Sequence, residues 1–128
     1  MNIPYEMQEA TEKLLEKRSI LNIRNCVSSI CERYNNDSGH GKVLVKTDEE
    51  AVSYAISRMP GTYGAVSTAL SETLKRVDTD IRTLADIGAG TGAAVWAVTE
   101  QLELDSITCI ERAECMEHIG KSMLSWHS

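Results

Sequence analysis

Leu84-Ala85-Asp86-Ile87-Gly88-Ala89-Gly90-Thr91-Gly92-Ala93-Ala94-Val95-Trp96 is the stretch that decides how this chain reads. The apolar run Leu84 to Ile87 predicts a short strand over Thr83 to Ile87, and the run from Ala93 predicts a helix. Between them, glycines stand at the alternate positions 88, 90 and 92. Glycine is needed where the backbone takes positive φ, or where a ligand approaches it without a Cβ in the way. Strand, tight turn and helix in that order set the free N–H groups of the helix start beside the strand's end. Asp86 adds a carboxylate there. About twenty residues on, a second strand, Ser106 to Ile110, ends in another acid, Glu111, placed to accept both ribose hydroxyls of an adenosine.

Two cofactor classes use such a unit. Gly88, Gly90 and Ala93 satisfy the dinucleotide fingerprint G-x-G-x-x-G/A. Asp86 discriminates between them: its carboxylate repels a pyrophosphate and attracts the sulfonium and ammonium of S-adenosyl-L-methionine. The pattern favours S-adenosylmethionine, with a dinucleotide as the alternative and a glycine turn that binds nothing as the third reading.

The rest of the composition sets bounds. A chain of 128 residues, 42% hydrophobic and 25% charged, has the length of one domain and the make-up of a soluble globular protein. No apolar run reaches the roughly 18 residues of a membrane span. The start lacks a signal-peptide core, and Glu6, Glu9, Glu12 and Glu16 make it too acidic for a transit peptide, so a cytoplasmic location is expected. The net charge of −6 divides into −1 over residues 1–60 and −5 over residues 61–128. Nucleic-acid binders usually carry a basic field, so contact with RNA here requires a local patch or a partner. Cys26, Cys31, Cys109 and Cys115 match no zinc spacing and read as reduced thiols; no metal site is expected. His40, His118 and His127 are scattered and read as surface residues.

Upstream, Pro4 opens a first helix with Tyr5, Ala10, Leu14 and Leu15 at helical spacing. Ser19 is placed to cap a second helix carrying Leu21, Ile23, Val27, Ile30, Cys31 and Tyr34. Asn35 to Gly41 has loop composition, and Lys42 to Lys46 reads as a short strand or extended linker. Thr47-Asp48-Glu49-Glu50 is a capping box, with Glu50 reaching back to the Thr47 N–H. Its helix runs through Tyr54 and Ile56 and is expected to end at Pro60-Gly61, where Thr62 caps the next helix, Tyr63 to Arg76. Arg58 to Tyr63 then forms a corner that groups an arginine, a threonine and a tyrosine. Trp96 is expected in the core. Ala113 to Leu124 forms the last helix, with Met116, Ile119 and Met123 on one side.

Ser57-Arg58-Met59-Pro60-Gly61-Thr62-Tyr63-Gly64-Ala65, taken with Asp86 to Gly92 and Val95-Trp96-Ala97, resembles the small-ribosomal-subunit methyltransferase-like family of the Rsm type. The glycine motif is shared across the class I methyltransferase superfamily, whereas the corner and the Trp96-Ala97 pair are more specific. The resemblance spans roughly residues 45–125. Gly61 and Gly64 stand where that family usually has alanine, and the cysteines do not match the later cysteine cluster of many members.

The resemblance implies an α/β fold. A helical N-terminal region, residues 1–46, would precede the first βαβα part of a class I, Rossmann-like methyltransferase sheet in residues 47–128. That sheet would be truncated relative to the seven-stranded fold. It further implies S-adenosylmethionine as cofactor, with Asp86, Gly88, Ala89, Gly90 and Gly92 at its methionine end and Glu111 on its ribose, and with Arg58 and Tyr63 at the corner. It also implies a role in ribosomal RNA methylation or in small-subunit assembly without catalysis, with the small subunit or its RNA as partner. A two-stranded sheet leaves edges unpaired, so a homo-oligomer or a partner chain completing the sheet is expected.

Overall fold

The computed structural model describes residues 3–37 and 44–125, with the side chain of Asp37 excluded. Six helices and two strands follow in the order α1 (Tyr5–Leu15), α2 (Ile20–Asp37), α3 (Asp48–Ser57), α4 (Met59–Leu74), β1 (Thr83–Ile87), α5 (Ala93–Gln101), β2 (Ser106–Ile110) and α6 (Glu114–Ser125). The fold is thus mixed, mostly helical, with a small parallel sheet. No helix among the described residues is long and apolar enough to cross a membrane.

The helices form because their apolar residues repeat at helical spacing and meet in one core. Met7, Ala10 and Leu14 of α1 join Ile23 and Ile30 of α2, Val52 and Ala55 of α3, Trp96 and Ala97 of α5, and Met116, Ile119 and Met123 of α6. Tyr5 and Leu21, expected on the apolar faces, are instead 72% and 64% exposed. Each lies in the first turn of its helix, on the side turned from the core. Residues Glu16 to Ser19 separate α1 from α2, and the Ser19 hydroxyl accepts from the Asn22 N–H at 3.3 Å, as a cap should.

Two boundaries differ from the sequence reading. Helix α2 continues through Asn35, Asn36 and Asp37, because loop-favouring residues at a helix end are tolerated once the preceding turns are packed. The remaining loop residues, Ser38 to Gly41, lie outside the described residues, as do Lys42 and Val43; Leu44 to Lys46 form no strand. The second difference is at Pro60-Gly61. Helix α3 ends at Ser57, and α4 begins at Met59, so Pro60 occupies the first turn of α4 rather than breaking α3. A first-turn proline has no intrahelical donor to lose. Thr62 is therefore no cap: its hydroxyl donates back to the Arg58 carbonyl at 3.3 Å.

Thr47 caps α3 as expected, accepting from the Glu50 N–H at 3.2 Å. The return bond differs. Glu50 accepts from the Lys46 N–H at 3.1 Å, and its other oxygen pairs with Arg33. Arg33 also donates to the Leu44 carbonyl at 2.9 Å, so the buried Glu50 ties α2, the segment 44–46 and α3 together. Val45, buried in the core, is held there by that tie.

Strands β1 and β2 pair in parallel, Thr83 with Ser106 through Ile87 with Ile110, with α5 as the crossover. Both strand ranges coincide with the sequence reading. Trp96, 1% exposed, is core, and α5 is fixed to α4 by the Gln101 amide donating to the Ser67 carbonyl at 2.9 Å. The sheet itself stays open: Ile87, Ile107 and Ile110 are 78%, 42% and 55% exposed.

Candidate functional site

The strand–turn–helix unit builds the site. Gly88, Gly90 and Gly92 have φ of 75°, 59° and 95°, a region that L side chains rarely adopt, and no other described residue has positive φ. The turn is closed by its own hydrogen bonds. The Gly88 and Ala89 N–H groups both donate to the Ile110 carbonyl, at 2.7 and 3.0 Å, and the Gly92 N–H donates to the Ala89 carbonyl at 3.0 Å. Helix α5 then starts with no side chain capping it.

Glu111 and Asp86 flank this turn. Glu111 accepts from the Gly90 N–H at 2.8 Å with one oxygen and from the Ala113 N–H at 2.9 Å with the other. It thereby joins the turn to the start of α6. A carboxylate has about four lone-pair sites, so each oxygen retains acceptor capacity. Asp86 is different. Its Oδ2 is buried and has no hydrogen-bond partner. Burial, reinforced by the Glu111 carboxylate, raises its pKa above the ordinary value. Cys109, its register partner on β2, has its thiol pKa raised by burial and then by Asp86.

Beside the turn runs a cleft of about 550 Å³, between α5, β2 and α6. Ala89, Gly90, Gly92, Cys109 and Glu111 line its upper end, and Lys121 and Leu124 its lower. That volume lies within the roughly 300–1,000 Å³ usual for small-molecule sites.

The corner at Arg58 reaches the turn through its neighbours. Met59 is fully buried, and its sulfur accepts from the Thr91 hydroxyl at 3.3 Å. Tyr54, one helical turn before Arg58, lies against Gly90, its ring 3.6 Å from where a Cβ would stand. Tyr34 of α2 packs on Tyr54 with ring centres 5.6 Å apart, and the exposed Arg58 guanidinium lies 4.6 Å from the centre of the Tyr34 ring. Burial raises both phenol pKa values; the nearby Arg58 charge lowers them and Glu111 raises them. Tyr63 is placed otherwise: it is 6% exposed and borders a separate groove with Ser67 and Gln101, between α4 and the end of α5.

The structure therefore brings Asp86, Gly88, Ala89, Gly90, Gly92 and Glu111 together, sets Arg58 two rings away, beyond Tyr54 and Tyr34, and packs Tyr63 into the core. Tyr34 and Tyr54 also belong to the site, although the sequence pattern marks them only as apolar-face residues. The signal that finds Tyr54 is its i, i+4 spacing to Arg58; nothing local marks Tyr34. Among the described residues no group of three His, Cys, Asp or Glu side chains converges as a metal site. His118 contacts Asp48 at 3.2 Å on the surface, and His40 and His127 lie outside the described residues.

This is a parallel βαβ unit in which a left-handed glycine turn, a helix start and two carboxylates converge. Residues 48–127 match the family described as mitochondrial small ribosomal subunit Rsm22, and the chain belongs to that family. Comparison with curated proteins gives no match.

Proposed function

We propose that this chain binds S-adenosylmethionine at the glycine turn and acts on the small ribosomal subunit, in methylation of its RNA or in its assembly. The observation that carries the reading is the buried, unpartnered Asp86 oxygen beside three positive-φ glycines. A carboxylate oxygen held out of water without a partner is unfavourable, and a cationic ligand offsets that penalty. The turn's amides add to the argument. Those of Gly88, Ala89, Gly90 and Gly92 already donate to protein oxygens. A pyrophosphate needs such donors free, whereas a cation needs acceptors. The alternative of a dinucleotide is thus disfavoured on charge, and the four occupied turn amides leave it only the uncapped start of α5.

In this reading Asp86 takes the ammonium and sulfonium end, Glu111 uses its remaining acceptor capacity on the ribose, and the cleft along β2 takes the nucleoside. The cofactor would supply an electrophilic methyl group. The chain's own residues hold and orient the donor, with the acceptor side completed by a partner or by further sheet. A cytoplasmic setting is part of the same proposal.

A second reading, an assembly or interaction protein without catalysis, is favoured by the open sheet. Ile87, Ile107 and Ile110 offer apolar surface and unpaired strand edges to a partner chain or a second copy. Calorimetric titration with S-adenosylmethionine and then NAD tests the first reading. Heat with the first and none with the second, lost in Asp86→Asn, is expected. Binding of NAD alone would overturn it. Binding of neither, with retention on purified small subunits, would establish the second reading instead.

A further inference from the structure

We infer that the groove between α4 and the end of α5 is a second binding site, which takes a primary alkylammonium group over Tyr63 and Ser67. It lies apart from the glycine turn, and the inference does not depend on the cofactor reading above.

The groove holds about 290 Å³, enough for one head group and part of its alkyl stem. Tyr63 and Ser67, 6% and 5% exposed, are its buried part. Ser71 and Glu72 of α4, with Glu100 and Gln101 of α5, stand around them. The chemistry is one-sided, because carboxylate, hydroxyl and amide oxygens dominate. The Gln101 amide nitrogen donates to the Ser67 carbonyl at 2.9 Å, which leaves the Gln101 side-chain oxygen as a further acceptor. Glu72 pairs with Lys75 at 2.9 Å, whereas Glu100 has no cationic partner among the described residues. Helix α5 ends here with no basic residue in its last turn, so the negative end of its dipole is uncompensated.

Acids at a helix end attract only diffuse counterions. Ser67 makes the place specific. Its Oγ is buried and has no hydrogen-bond partner. A hydroxyl closed off from water without a partner is unfavourable, and a donor seated in the groove removes that penalty. The Tyr63 ring adds an aromatic surface, which attracts a cation further. An ammonium carries three donors and no acceptor, the complement of a groove of acceptors. A guanidinium needs paired carboxylate oxygens for its planar fork, and Glu72 already holds Lys75. An anion is repelled by both glutamates. A metal ion lacks ligands, since no three metal-ligating side chains converge among the described residues.

Two sources carry this head group: a free polyamine and a lysine side chain of a partner protein. The test titrates the ¹⁵N-labelled full chain with spermidine and, separately, with the peptide acetyl-Gly-Lys-Gly-amide, and follows backbone amide shifts. Saturable shifts over residues 63–72 and 99–102 are expected. Ser67→Ala should weaken binding by about tenfold, the range of one hydrogen bond to a charged group. Glu100→Gln should weaken it by about threefold, as for an exposed ion pair. Glu12→Gln, which removes the same charge from the exposed side of α1, should leave it within about 1.5-fold. Ser67→Ala deletes an unpartnered hydroxyl, so its melting temperature should equal or exceed the parent's. Response to spermidine alone assigns the site to polyamines, and response to the peptide alone assigns it to a lysine side chain; either supports the inference. No saturable shift over residues 63–72 with either probe, shifts confined to the glycine turn, or equal weakening by Glu12→Gln overturns it.

Discussion

Glu111→Ala separates what this carboxylate does for the fold from what it does for a ligand. Its two oxygens accept from the Gly90 and Ala113 amides at 2.8 and 2.9 Å. Hydrogen bonds to a charged group contribute about 1.5–3 kcal/mol each. The full sum overstates the effect for two reasons. The site is only part-buried, so water replaces some of the lost bonding, and removing the charge relieves the repulsion on Asp86. A loss of about 2–3 kcal/mol is expected. For a chain of this size that lowers the melting temperature by about 8–12 °C. Glu111→Gln should fall between, because its single carbonyl oxygen serves one amide while its NH₂ faces the other donor. Thermal and urea unfolding of the ligand-free protein are the assays. A Glu111→Ala protein within about 0.5 kcal/mol of the parent would refute the idea that this side chain clamps the turn to α6, since surface substitutions without structural consequence fall in that range.

Asp86→Asn should stabilise the ligand-free chain at neutral pH. The raised pKa means that the folded state binds the proton more tightly than the unfolded state, so stability falls as pH rises from the unfolded carboxyl value through the folded one. The variant lacks that slope, its advantage should vanish below about pH 3, and unfolding curves across pH measure it. The same substitution should speed alkylation of Cys109, whose thiol pKa Asp86 raises, as read by peptide mass mapping. Gly120→Ala and Gly64→Ala should act in opposite directions. A Cβ on Gly120 would stand 3.2 Å from the Thr91 backbone, whereas one on Gly64 meets nothing within 4 Å. The first should lose about 1 kcal/mol through overpacking and the second gain up to about 1 kcal/mol of helix propensity, by chemical denaturation. Glu50→Ala strands Arg33 and the Lys46 N–H; with the Arg33 side chain 37% exposed, a loss of about 2 kcal/mol is expected, and proteolysis within residues 44–47 should accelerate.

The βαβ core is legible in the sequence because its signals are local. An apolar run bounded by alternating glycines admits few conformations, and both strand ranges, Trp96 and the last helix lie where periodicity puts them. The ends of α2 and α3 depart from the sequence pattern for a physical reason: Asn, Pro and Gly lower helix preference without forbidding it. Pro60 sits where its missing N–H does no harm, and Gly61 is carried by the turns around it. In the site, the acids and glycines of the turn are neighbours in sequence or one strand apart, so a pattern can find them. Tyr34 and Tyr54 come from two other helices and meet only through packing. Tyr63, whose motif sets it beside Arg58, turns to the core because its position on α4 faces α5.

Thr91 joins three elements that the chain order keeps apart. Its hydroxyl holds Met59 at the start of α4, its backbone abuts Gly120 of α6, and its own position is in the turn between β1 and α5. A fully buried residue gripped on both sides has little slack. Mechanical load applied to the outer surface of α6 would therefore arrive at the arginine corner with little damping, and a ligand that tightened that corner would stiffen α6 in return.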